Sequence, residues 1–161
     1  MAQRSPFALA TIACAAIALT GCNMMGSSKK NTAASTAQGV PLGATLSGRD
    51  EVPPANSRFA AGEAQVNYDQ ASKTIVWKVT FSGLTGAATA AHLHGPAAPG
   101  ANAAVIVTLT PRNMFPITSP LEGSATLTDQ QATDLMAGKW YANVHTANNP
   151  NGEIRGQLLP K

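Results

Sequence analysis

The chain has 161 residues, of which 44% are hydrophobic and 12% charged, and its formal net charge is +3. This length allows a single domain. The eleven basic residues are scattered, and only Lys29 and Lys30 adjoin, which excludes the basic stripe typical of a nucleic-acid-binding surface.

The N-terminus is typical of a secretory signal peptide. Arg4 precedes an apolar run at 7–19 that is too short to span a bilayer. The segment Leu19-Thr20-Gly21-Cys22 resembles the lipobox of bacterial lipoproteins, which implies cleavage before Cys22 and attachment of acyl chains such as palmitate to that residue. Asn23, in place of aspartate, implies sorting to the outer membrane. We therefore expect a location in the bacterial cell envelope, held to the membrane through the lipid anchor.

The sequence divides into a signal peptide at 1–21, a flexible tether at 22–40 and a globular domain at 41–161. The tether consists mainly of small and polar residues that cannot bury a core. Both cysteines, Cys14 and Cys22, precede the globular domain. The domain therefore has no disulfide, no thiolate metal ligand and no cysteine nucleophile.

The first half of the domain predicts antiparallel strands. Residues 40–46 are a strand candidate, and Pro53-Pro54 marks a strand end because proline cannot donate to a β-ladder. Polar and apolar residues alternate at 62–68 and again at 74–81, which is the period of a half-buried strand. The segment 69–73 between them predicts a hairpin loop.

The second half predicts further strands and one helix. Thr128-Asp129-Gln130-Gln131 has the form of a capping box, and Gly138 suits a helix end, so a helix is predicted at 129–137. Residues 111–120 carry three prolines and are predicted to be irregular. The remaining strand candidates are the segment that ends at Gly95-Pro96 and those at 104–109, 123–127, 140–146 and 153–159.

Seven or eight short strands and a single helix predict an all-β fold, an antiparallel sandwich or barrel. Helices do not alternate with strands, which excludes a parallel α/β fold.

The histidines concentrate in two short segments. All three histidines of the chain lie in His92-Leu93-His94 and in Asn143-Val144-His145. Successive side chains alternate across a strand, so His92 and His94 share a face. Their Cβ atoms would be ~7 Å apart, and both imidazoles can then reach one metal ion.

The last two strands can be aligned by their hydrophobic pattern. Setting Val144 opposite Ile154 matches apolar with apolar along the whole pair, whereas a shift by one residue does not. The same register predicts three polar pairs, which are His145 with Glu153, Asn143 with Arg155, and Tyr141 with Gln157. Glu153 would then either orient His145, as carboxylates do for metal-bound imidazoles, or pair with Arg155.

Two functional hypotheses follow. In the first, His92, His94 and His145 bind a single copper or zinc ion, for which imidazole is a suitable ligand. In the alternative, the domain is a metal-free structural or protein-interaction module. Its buried polar network would combine the histidines with Asn143, Glu153, Arg155 and Tyr141. No nucleophile motif is evident, so no enzymatic activity is expected.

Four motifs resemble the CHRD domain, named for chordin and also present in bacterial lipoproteins. They are Arg49-Asp50-Glu51-Val52-Pro53-Pro54, Ala90-Ala91-His92-Leu93-His94-Gly95-Pro96-Ala97, Gly138-Lys139-Trp140-Tyr141-Ala142-Asn143-Val144-His145-Thr146 and Pro150-Asn151-Gly152-Glu153-Ile154-Arg155-Gly156-Gln157-Leu158. The resemblance covers about 42–160 and implies a Greek-key β-sandwich, immunoglobulin-like or superoxide-dismutase-like.

The pair His92 and His94 also resembles part of the copper site of copper/zinc superoxide dismutases. Those enzymes need more histidines, an aspartate and a disulfide, and this chain has three histidines in all. Two-metal dismutase chemistry is therefore not implied.

Overall fold

The structure, a computed structural model, describes residues 39–110 and 117–161. These residues form eight strands and one α-helix. In chain order the elements are β1 (Val40–Ser47), β2 (Ala61–Asp69), β3 (Thr74–Ser82), β4 (Ala88–His94), β5 (Val105–Thr108), β6 (Leu121–Thr126), α1 (Asp129–Met136), β7 (Trp140–Thr146) and β8 (Ile154–Pro160). A short 3₁₀ turn, Gly48–Asp50, follows β1.

All eight strands belong to one antiparallel sheet with the order β5-β4-β7-β8-β1-β2-β3-β6. The predicted all-β class is therefore confirmed. The predicted Greek-key sandwich is not confirmed, because a single continuous set of pairings joins every strand in a nearly closed sheet. Strands β4, β7 and β8 are adjacent, which brings both histidine segments together.

Alternation along the strands builds the core on the inner face of the sheet. In β3, for example, Ile75, Trp77 and Val79 are buried, whereas Val76 and Lys78 between them are exposed. Burial of each large apolar side chain of this kind contributes roughly 1.5–3 kcal/mol. In a chain that carries no cysteine after Cys22, this core must supply most of the stability.

Strand β7 departs from this alternation, because every one of its residues is buried. Its apolar side chains face the core. The opposite face is covered by the loop at 97–103, to which Arg155 and Tyr141 are hydrogen-bonded. The outer face of β4, β7 and β8 is consequently an enclosed polar layer rather than a solvated surface.

The predicted register of the last two strands is confirmed. Val144 pairs with Ile154, Asn143 with Arg155 and Tyr141 with Gln157. The pairing ends one residue earlier than expected, since β8 begins at Ile154 and the Glu153 amide donates to the Val144 carbonyl.

The helix forms as predicted at its N-terminus. The Thr128 side chain accepts a hydrogen bond from the Gln131 amide, and the Gln131 side chain accepts one from the Thr128 amide, so the capping box is complete. The chain leaves α1 through Gly138, whose φ of 69° favours glycine.

We expect Thr128→Ala to lower the free energy of unfolding by about 1 kcal/mol, because it leaves the Gln131 amide without its capping oxygen. Urea denaturation measures this change. Thr128→Ser keeps the hydroxyl and is the matched control. Equal stability of the alanine and serine variants would contradict the capping role.

Some predictions fall outside the described residues. These are the signal peptide, the lipidated Cys22, most of the tether, and residues 111–116 of the proline-rich segment.

Strand β6 begins at Leu121, two residues before its predicted start. Within the described ranges, no helix is long and apolar enough to cross a membrane.

Candidate metal centre

The antiparallel pairing of β4 with β7 brings the three histidines together. His92 lies opposite Asn143, His94 opposite Tyr141, and His145 opposite Ala90. One ring nitrogen from each histidine can be chosen so that the three atoms lie within 4.8 Å of one another. The sequence therefore located all members of this cluster, although they are about fifty residues apart in the chain.

His145 presents one nitrogen to His92. Its Nδ1 lies 3.0 Å from the Pro150 carbonyl oxygen, which can only accept a hydrogen bond. In the neutral ring the proton is therefore on Nδ1, and the lone pair of Nε2 faces His92 Nδ1 at 3.1 Å. Two nitrogens bound to one tetrahedral ion at 2.0–2.1 Å would be about 3.4 Å apart, so this pair already has nearly the spacing of metal ligands.

His94 is held by two oxygens. Its Nδ1 lies 3.0 Å from the Ala103 carbonyl, and its Nε2 lies 3.0 Å from Asn143 Oδ1. A neutral ring can donate to only one of these oxygens. With its proton on Nδ1, toward the Ala103 carbonyl, the lone pair of Nε2 is directed at the cluster.

The surroundings keep the three imidazoles uncharged. Burial, together with repulsion from His145 and His94, lowers the pKa of His92 to about 4. Burial also lowers the pKa of His94 and of His145 below the usual 6.5, and in both rings hydrogen bonds oppose this effect only in part. At neutral pH the three rings are therefore uncharged, so a metal ion need not displace an imidazolium proton.

Tyr141 and Arg155 hold the loop that orients His94. The Tyr141 ring stacks on the His94 imidazole at 4.8 Å between centroids, and the Arg155 guanidinium lies 3.4 Å from the centroid of the same ring. Arg155 also donates to the Asn102 side chain and to the Ala101 carbonyl. Because Ala103 adjoins these groups, both residues support the carbonyl that faces His94 Nδ1.

Glu153 belongs to a different cluster. Its carboxylate accepts hydrogen bonds from the Thr85 amide and hydroxyl, from the Thr146 hydroxyl and from the Asn149 side chain. The orientation of His145 therefore comes from the Pro150 carbonyl and not from Glu153. Arg155 likewise binds the loop at 101–102 rather than pairing with Glu153. The reason is that Glu153 precedes β8, so its side chain turns toward the β7–β8 connection.

Glu51 is a buried residue whose place beside the site was not expected from the sequence. It is 4% exposed, and its Oε1 has no hydrogen-bond partner among the described groups. Burial raises its pKa to about 7, against the lowering influence of Arg155, the Val52 backbone and the Asn143 side chain. A Cβ on Gly152 would collide with this carboxyl oxygen, which explains the glycine there.

The sequence contained only a weak signal for these partners. Glu51 was visible as part of a motif before two prolines, but nothing in that motif indicates burial. The Pro150 and Ala103 carbonyls are backbone groups, which carry no residue-type signal at all. Both lie in loops, where strand periodicity says nothing about position.

The arrangement can bind a cation through three neutral nitrogens held by separate elements. Within the described residues, this is the cluster whose geometry suits a transition metal. The chemistry that three neutral imidazoles offer is ligation of a metal ion.

Comparison with known families agrees with the motifs. The model of the CHRD domain matches residues 42–158, a span that runs from β1 to β8 and contains all three histidines. No curated protein and no solved structure shows significant similarity to the chain. Because the match covers most of the sequence, the chain belongs to the CHRD domain family.

Proposed function

We propose that this CHRD domain binds one transition-metal ion, copper or zinc, through His92, His94 and His145. The observation that carries the proposal is the convergence of three ring nitrogens within 4.8 Å. Imidazole is a good ligand for both ions, and three such ligands leave room for a further donor.

The tautomers support this function. A backbone carbonyl lies 3.0 Å from Nδ1 of His145 and of His94, and with its proton on Nδ1 each ring directs a lone pair from Nε2 toward the cluster. Metal-bound histidines are commonly fixed through their other nitrogen in this way.

The location of the domain follows from the N-terminal sequence. We propose that Cys22 carries lipid and anchors the domain in the bacterial cell envelope, in the outer membrane. The lipobox-like segment before Cys22 supports the proposal. An envelope-anchored metal site suits storage, sensing or protection against free ions.

The test is calorimetric titration of the mature protein, produced without tags that bind metal, with Cu(II) and separately with Zn(II). We expect one ion per chain and a Kd below about 100 µM. Each single change of His92, His94 or His145 to alanine should weaken binding by about 100-fold, because a ligand matters at least as much as the outer-shell partners that cost 10–100-fold.

Glu122→Gln is the matched control. It removes an exposed carboxylate on β6, far from the cluster in the strand order, and should leave binding unchanged. Absence of stoichiometric binding, or equal affinities in the wild type and the histidine variants, would contradict the proposed function.

A further inference from the structure

The environment of His94 contains an electrostatic conflict. Both of its ring nitrogens lie 3.0 Å from oxygen atoms, Ala103 O and Asn143 Oδ1. A neutral imidazole has one N–H, so only one of these contacts can be a hydrogen bond. His94 is 8% exposed, so the conflict lies in the protein interior and not at a hydrated surface.

One tautomer places the conflict on the Asn143 side of the ring. With the proton on Nδ1 and donated to the Ala103 carbonyl, the Nε2 lone pair faces a lone pair of Asn143 Oδ1. Two buried lone pairs at this distance repel each other, whereas a cation bound to both converts the repulsion into attraction.

We propose that Asn143 Oδ1 is the fourth protein ligand of the three-histidine site, which would make it a closed site of three nitrogens and one oxygen. The inference rests on the proposed function and extends it, because it replaces an open coordination position with a protein donor. Structural zinc sites are closed in this way, whereas catalytic sites keep a position for water or substrate.

The spacing of the donors agrees with this assignment. The four atoms form two pairs of similar separation: His92 Nδ1 with His145 Nε2 at 3.1 Å, and His94 Nε2 with Asn143 Oδ1 at 3.0 Å. Donors about 2.1 Å from one ion and about 3.0 Å apart subtend roughly 90–95° at the ion. A tetrahedral ion needs a separation of about 3.4 Å, so each pair would open by about 0.3–0.4 Å on binding.

The Asn143 amide directs its oxygen at the histidines. Asn143 is 3% exposed and lies on β7 opposite His92. Its Oδ1 lies 3.0 Å from His94 Nε2, so an oxygen donor is present at the edge of the cluster. The buried Glu51 carboxyl also interacts with the Asn143 side chain.

The test compares the wild type with Asn143→Ala and Asn143→Asp. Zn(II) affinity is measured by calorimetric titration, and the visible absorption of the Co(II)-loaded protein reports on the ligand set. The alanine variant removes the oxygen donor and should bind Zn(II) 10–100-fold more weakly, with a changed Co(II) spectrum.

The aspartate variant keeps an oxygen donor and should bind Zn(II) at least as tightly as the wild type. A merely structural role for Asn143 requires the opposite result. Aspartate places a second carboxylate beside Glu51, so it should then be as damaging as alanine or worse.

The outcomes separate the two proposals. If the wild type binds one ion and the alanine and aspartate variants both bind equally well, or both bind poorly, Asn143 is not a ligand and the three-histidine site stands. If the wild type binds no ion, both proposals fall. If the alanine variant does not fold, the aspartate variant decides, since retained affinity supports the oxygen donor and lost affinity overturns it.

Discussion

Glu153→Ala is expected to lower the free energy of unfolding by about 3–5 kcal/mol. Glu153 is completely buried, and its carboxylate accepts four hydrogen bonds from three residues, Thr85, Thr146 and Asn149. Removal of the carboxylate leaves these donors without an acceptor, and each unsatisfied buried group costs about 1–3 kcal/mol. Guanidinium denaturation at pH 7 measures the change.

Glu63→Ala is the control, because Glu63 is a half-exposed carboxylate on β2. Its effect should be within about 0.5 kcal/mol. A similarly small effect of Glu153→Ala would show that the carboxylate does not hold the Thr85 and Asn149 loops in place.

The same carboxylate should make the protein sensitive to acid. Burial opposes its ionisation, but the hydrogen bonds from Thr146, Thr85 and Asn149 outweigh burial and hold its pKa below the usual 4.5. A group with a lowered pKa stabilises the folded state above its unfolded pKa and loses that contribution as the pH falls through the folded pKa. The loss below pH 4.5 should therefore be smaller in Glu153→Ala than in the wild type.

Glu51→Gln is expected to stabilise the metal-free protein at pH 8 by about 3 kcal/mol. Burial raises the pKa of Glu51 from 4.5 to about 7. The neutral carboxyl therefore supports the folded state below pH 4.5, and this contribution is lost as the pH rises through 7. Glutamine remains neutral throughout, and a difference of this size in pKa corresponds to about 3 kcal/mol.

Thermal or urea denaturation at intervals from pH 4 to 8 measures this effect.

The histidines change the stability of the folded protein with pH in the opposite direction. Their lowered pKa values mean that the neutral rings support folding above pH 6.5 and that this support is lost as the pH falls, toward about 4 for His92. In the wild type the two slopes oppose each other between about pH 4.5 and 6.5.

Glu51→Gln should remove one of these slopes and leave a stability that rises with pH through the histidine range. Glu122→Gln, at an exposed position, should leave the wild-type profile unchanged. Equal pH profiles for Glu51→Gln and the wild type would mean that Glu51 ionises in the folded protein as it does in the unfolded chain.

The strands were predictable because their signal is local. Alternation at 74–81 identified β3, and the matching of apolar positions was enough to set the register of β7 against β8. A shift of one residue would turn every side chain to the wrong face, so the hydrophobic effect specifies the register strongly. The helix was equally local, since its start depends on two hydrogen bonds between residues three apart.

The site was only partly predictable. The sequence identified the three histidines and Asn143, because strand alternation places His92 and His94 on one face of β4 and residues 143 and 145 on one face of β7. The predicted pair of His145 with Glu153 is absent from the ladder, since Glu153 lies just before β8 and its side chain turns to Thr85 and Asn149. Side-chain direction at a strand end depends on the loop beyond it, which periodicity does not describe.

The sequence by itself determined the family, the antiparallel strands, the capped helix and the identity of the candidate ligands, because these depend on local pattern and on residue type. The tertiary structure alone decided which nitrogen of each histidine faces the cluster, and that Glu51 is buried beside Asn143. Those features come from the Ala103 and Pro150 carbonyls and from loops that close over β7. Backbone groups in loops carry no residue-type signal, so the positions of these carbonyls are defined only when the whole sheet has folded.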